Sequence, residues 1–116
     1  MLREDRNRLR HMLDAAKEAL ALAAGRSRED LDRDRQLVLA LLRLLEIVGE
    51  AASNVTLGFR ASQPQIPWRE LIGMHHRLIH AYHDVNLDAV WKTLQTDAPP
   101  LVERLEQLLS PPGPNP

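Results

Sequence analysis

At 116 residues the chain has the length of one domain with a single core, and 44% hydrophobic against 3% aromatic content favours packed helices over a sheet. A formal charge of -1 gives no global reason to bind nucleic acid, so such binding has to come from a local patch or a groove between subunits. The absence of cysteine excludes disulfides and thiolate metal sites.

No unbroken apolar run exceeds that from Leu37 to Leu42, far short of the roughly 20 residues that span a bilayer. Arg3, Glu4, Asp5 and Arg6 stand where the apolar part of a signal peptide would begin. The expectation is a cytoplasmic all-α protein, an up-down bundle of four to five helices over residues 1–110 with a proline-rich, disordered or extended tail over residues 111–116.

From about Asp5 to Ala24, Leu9, Met12, Leu13, Ala16, Leu20 and Ala23 recur at three- and four-residue steps, the stripe of an amphipathic helix that Gly25 ends as its C′ residue. Arg3, Arg6 and Arg10 share one side of its first turns, but the interleaved Glu4, Asp5 and Asp14 make this a solvated face before a phosphate site. Ser27-Arg28-Glu29-Asp30 resembles a capping box that starts a second helix, with Asp30 in place of the usual Glu.

From Asp34 to about Val55, Gln36, Arg43, Glu46, Glu50 and Ser53 fall within an arc of about 100°, and nearly everything else is apolar. So wide an apolar surface places the helix at the centre of the bundle or shares it with another subunit; in a chain this small the second favours a homodimer. Glu46 and Glu50 lie one turn apart, a spacing that suits metal or acid–base work. Arg43, three residues before Glu46, makes a structural charge cluster the better reading.

Ser62 to Pro67 is a breaker-rich connection with at most one short helical turn, and Pro67 suits the first position of a third helix. That helix, Trp68 to about Tyr82, carries two stripes: Leu71, His75, Leu78 and Tyr82, then Ile72, His76, Ile79, His80 and His83. After a break at Asp84-Val85-Asn86, Asn86 caps a short helix whose Leu87, Val90, Trp91 and Leu94 face inward. Asp97-Ala98-Pro99-Pro100 interrupts the chain again, before a final helix with Leu101, Leu105 and Leu108 as its stripe.

Four histidines within nine residues, beside the only tyrosine, call for an explanation. They can be structural, capping or pairing with Asp84. They can hold a metal, since His76, His80 and His83 recur on one face, but no HExxH accompanies them and Arg77 opposes a divalent cation. They can also act on a phosphodiester, where a neutral imidazole deprotonates a ribose 2′-hydroxyl while a cation stabilises the pentacoordinate phosphate. On a straight helix His75 and His80 are about 140° apart, so they converge only if the helix breaks or two copies meet across an axis. Arg77, about 60° from His80, is its nearest cation in the chain.

The segments IPWRELIGM, RLIHAY and DVNLDAVW, in that order between Ile66 and Leu101, resemble the HepT-like branch of the HEPN superfamily, as do SREDLDRDRQ and LEIVGEAAS upstream. The resemblance implies a helical-bundle homodimer, the toxin of a type VII toxin–antitoxin pair whose partner is a small MNT-type nucleotidyltransferase. It implies a metal-independent, cofactor-free endoribonuclease with an R-x-x-x-x-H-x-Y motif near the dimer interface, silenced when the partner adds AMP to the tyrosine. Carried over, His80 matches the catalytic histidine and Tyr82 the AMP acceptor, with Arg77 as an accessory cation. The pattern departs at its arginine, where this chain has His75. A histidine near its reference pKa of about 6.5 is only partly charged at neutrality, whereas arginine is a permanent bidentate cation. The alternative function is therefore a catalytically impaired dimer that serves as binding partner and substrate of the nucleotidyltransferase.

Overall fold

The computed structural model describes residues 1–80 and 85–110, without the side chains at 75 and 77–80. Every regular element among these residues is helical: α1 (Arg3–Ala23), α2 (Asp30–Arg33), α3 (Arg35–Ser53), α4 (Leu57–Ser62), α5 (Trp68–His80), α6 (Leu87–Lys92) and α7 (Ala98–Leu109), with a π turn (Thr93–Asp97) joining the last two.

The stripe on α1 is buried as expected at Leu9, Met12, Leu13, Ala16 and Ala23, while Leu20 is half-buried and Ala15 and Ala19 join the core. The face is broader than one stripe because α1 packs against both α3 and α7. Gly25 follows α1 with φ of 75°, the left-handed conformation that a helix C′ position asks for and that a Cβ disfavours.

The second helix is divided. The Ser27 N–H donates to Asp30 Oδ2 at 2.8 Å, the return half of a capping box, and this bond is the main reason the Asp30 carboxyl is held below the ordinary aspartate range. α2 then stops at Asp34, whose backbone is extended and whose carboxylate accepts from the Leu37 N–H at 3.0 Å, so the chain recaps itself and starts α3 one residue later. α3 packs against α1 and α5 and buries Leu37, Leu41, Leu42, Leu44, Leu45, Val48, Ala51 and Ala52. Its wide apolar arc is thus largely explained inside one chain.

Asp5, expected on a solvated face, is 2% exposed. Its carboxylate accepts from the Thr56 N–H at 2.9 Å and the Thr56 hydroxyl at 2.7 Å, tying the start of α1 to the start of α4. Arg6, from the same expected face, donates to the Leu109 carbonyl at 3.1 Å at the end of α7. Arg60 likewise donates to the carbonyl of Ser53, the last residue of α3, and to that of Val55 just beyond it.

Pro99 and Pro100 do not interrupt the chain. The Ala98 N–H donates to the Thr93 carbonyl five residues back, a π-type turn that carries the helix from α6 into α7. The carbonyls left facing the prolines, on Gln95 and Thr96, belong to exposed residues that water can reach. The stripe of α7 closes on Leu101, Leu105 and Leu109, with Leu108 only half-buried. No described helix is long and apolar enough to cross a membrane.

Candidate functional site

The histidine-bearing helix is seated from its N-terminal end. Ile66, Trp68 and Leu71 are buried, and the Trp68 indole N–H donates to the Gln63 carbonyl at 3.0 Å, fixing the connection to the helix it precedes. The Pro67 carbonyl accepts from the Leu71 N–H at 3.0 Å and closes the first turn, so Pro67 opens the helix from the position immediately before Trp68. Beyond Leu71, Ile72 and Met74 are half-buried against the core and His76 is exposed.

α5 runs as α-helix from Trp68 to His80. His75, Arg77 and His80 therefore all lie on one helical backbone, and positions 75 and 80 are about 140° apart around its axis. Of the two ways those positions can converge, a helix break between them is removed. Tyr82 and His83 lie outside the described residues, as does Asp84. The histidine triplet His76, His80 and His83 considered for metal reaches beyond them too; among the described residues no group of three or more His, Asp or Glu is placed to hold an ion.

The chain is described again from Val85, half-buried against the core. Asn86 caps α6, its side-chain oxygen accepting from the Ala89 N–H at 3.1 Å. Val90 and Leu94 are buried and Leu87 and Trp91 half-buried, the inward face expected of them. One contact here has no local signal in the sequence. Arg28 Nε donates to Asp88 Oδ1 at 2.6 Å, across sixty residues, while its Nη1 donates to Asp32 Oδ1 at 3.0 Å. Both hydrogen bonds, that to Asp88 first, hold the Arg28 guanidinium more firmly protonated than usual.

The carboxylates of α3 take the structural part. Arg43 Nη1 lies 3.3 Å from Glu46 Oε1 on successive turns, and Glu50 stays exposed at the helix surface.

The Ribonuclease HepT-like family matches residues 12–108, from the middle of α1 to the last turn of α7. The chain is 42% identical over 80 residues to the "Probable ribonuclease HepT" of Thermococcus cleftensis, covering 69% of this chain and 73% of that protein. It is 36% identical over 101 residues to a "Putative RNase" of Caldanaerobacter subterraneus subsp. tengcongensis, covering 87% of this chain and 90% of that one. A "Putative RNase" of Methanocaldococcus jannaschii is 27% identical over 95 residues, 82% of this chain and 87% of its own length. No solved structure gives a significant match.

Proposed function

This chain belongs to the HepT-like ribonuclease family, and on that footing we propose that it is a metal-independent endoribonuclease whose site is assembled by two copies of the chain around α5. The observation that carries the shared site is the unbroken helix from Trp68 to His80: positions 75 and 80 diverge on one copy and can be opposed only by a second. Half-buried Ile72, about 80° from position 80 around this helix, supplies apolar surface for such a contact.

The chemistry follows from the residue types. His80 as a neutral imidazole takes the proton from a ribose 2′-hydroxyl, and the resulting oxyanion attacks the adjacent phosphorus. Arg77 and protonated His75 meet the charge on the pentacoordinate phosphate, and a protonated imidazole returns a proton to the departing 5′-oxygen. The products are a 2′,3′-cyclic phosphate and a 5′-hydroxyl, with no metal or cofactor in the balance. Cleavage of RNA in the presence of EDTA, with these ends and abolished by His80→Ala, is the expected result. Equal cleavage by the His80→Ala protein sinks the assignment.

The biological setting we propose is a type VII toxin–antitoxin pair, in the cytoplasm, with an MNT-type nucleotidyltransferase as partner. AMP on Tyr82 adds a negative phosphodiester and a nucleoside beside the site, repelling and obstructing RNA. Intact mass after incubation with the cognate nucleotidyltransferase and ATP is expected to rise by AMP in the wild type and not in Tyr82→Phe. The second reading, an impaired dimer that only binds and is modified by the nucleotidyltransferase, is favoured by His75 in the arginine position. It predicts modification of Tyr82 without RNA cleavage.

A further inference from the structure

A cleft between the connection that leads into α5 and the start of α7 takes no part in the chemistry assigned to His75, Arg77 and His80. It encloses about 290 Å³. One wall is Gln65, Ile66 and Pro67; the other is a row along the π turn and α7, with Asp97, Pro100, Leu101 and Arg104. Ile66 and Leu101 are buried and fix the floor, while the rings of Pro67 and Pro100 are rigid apolar surfaces. The cleft lies at the Trp68 end of α5, about 18 Å along the helix from the backbone of His80.

Arg104 is held there without a counter-charge. Its Nη1 donates to Gln107 Oε1 at 3.1 Å and its Nη2 to Gln63 Oε1 at 2.8 Å. The Gln65 amide, its oxygen turned toward the guanidinium, accepts from Nε at 2.7 Å and Nη2 at 2.8 Å. All three acceptors are neutral amides, and among the described residues no carboxylate pairs with Arg104. Nε and Nη2 form the fork that grips a two-pronged acceptor. Gln65, an exposed residue, fills it with a single neutral oxygen that a ligand can replace. Two helical turns earlier, roughly 10 Å along the axis, the exposed Asp97 neither caps α7 nor pairs with another described residue.

A donor fork and a free carboxylate in one row, between flat apolar walls, suit a planar ligand with acceptors on one edge and adjacent donors on another. A phosphate or carboxylate would fit the fork but meet the charge of Asp97. Guanine alone among the RNA bases has both edges: O6 and N7 accept from an arginine fork, and N1–H and N2–H lie side by side for the two oxygens of a carboxylate. We propose that this cleft binds a guanine base, Arg104 taking O6 and N7 in place of Gln65 and Asp97 taking N1–H and N2–H. Guanine reaches it within an RNA strand or as a free nucleotide; that it belongs to the RNA substrate rests on the ribonuclease reading.

The test is fluorescence anisotropy of the full chain with 2′-O-methyl oligouridine strands, which lack the 2′-hydroxyl needed for cleavage. Each strand carries one guanine, hypoxanthine, 7-deazaguanine or adenine. Guanine is expected to bind roughly tenfold more tightly than the other three, the scale of one well-made base contact. Asp97→Asn should erase the difference between guanine and hypoxanthine, which lacks the N2 amino group. Arg104→Lys, which keeps the charge without the fork, should erase the difference between guanine and 7-deazaguanine. Equal binding of the four strands by the wild type overturns the proposal, as does a guanine preference over hypoxanthine that survives Asp97→Asn at an unchanged urea midpoint. Competition by GMP as strong as by the guanine strand assigns the site to a free nucleotide, and weaker competition assigns it to RNA. A wild-type chain that prefers guanine but leaves natural RNA intact sinks the ribonuclease reading and keeps the cleft.

Discussion

Asp5 shows how a residue's role can be set by a partner far along the chain. Among Arg3, Glu4 and Arg6 it reads as one more charge on a solvated turn, yet it accepts both the N–H and the hydroxyl of Thr56 and is almost fully buried. Asp5→Ala leaves both donors without their acceptor and is expected to lower stability by about 2 kcal/mol, read as a lower urea midpoint at unchanged slope. Nothing in the local pattern announces this, because Thr56 lies 51 residues away. His75 is the opposite case: its interest is visible in the sequence, since it stands where the family resemblance calls for arginine. An imidazole carries charge below about 6.5 and loses it above, so cleavage that uses its cation falls as pH rises through that value. His75→Arg keeps the charge, and its cleavage rate at pH 8 is expected to exceed the wild type's. Identical pH profiles for the two proteins would exclude position 75 from the reaction.

At the scale of elements, local chemistry was readable and its interruptions were not. Gly25, the Ser27–Asp30 box and Asn86 each act within three residues of themselves, so their types and spacing announce them. Gly25→Ala meets no neighbouring atom within 4 Å, so its cost is backbone strain alone, about 1 kcal/mol in thermal or urea unfolding. The recapping of the chain at Asp34 was not evident, since an aspartate there fits an unbroken helix face equally well. The prolines at 99 and 100 signalled a break, and the π turn before them lets the helix continue. A helix that crosses a proline pair needs a neighbour to hold it, and α1, packed along the π turn and α7, supplies it.

Across the whole molecule, the central place of α3 removes one argument for a dimer and the unbroken α5 supplies another. The breadth of the apolar arc on α3 follows from packing against α1 and α5. The divergence of positions 75 and 80 on a continuous helix is what a second copy would resolve. Light scattering is expected to give twice the mass of one chain at micromolar concentration, with RNA cleavage lost on dilution below the dissociation constant. A monomer that still cleaves RNA would refute the shared site.

The helical class, the core stripes, several caps and the helix that begins at Trp68 were determined by the sequence by itself, because periodicity and cap residues act over one or two turns. The tertiary structure alone decided that Asp5 is a buried acceptor, that Arg6 closes the end of α7, and that Arg28 meets Asp88. Each of these joins residues more than fifty positions apart, and an ionic or hydrogen-bonded partner at that distance leaves no trace in local spacing.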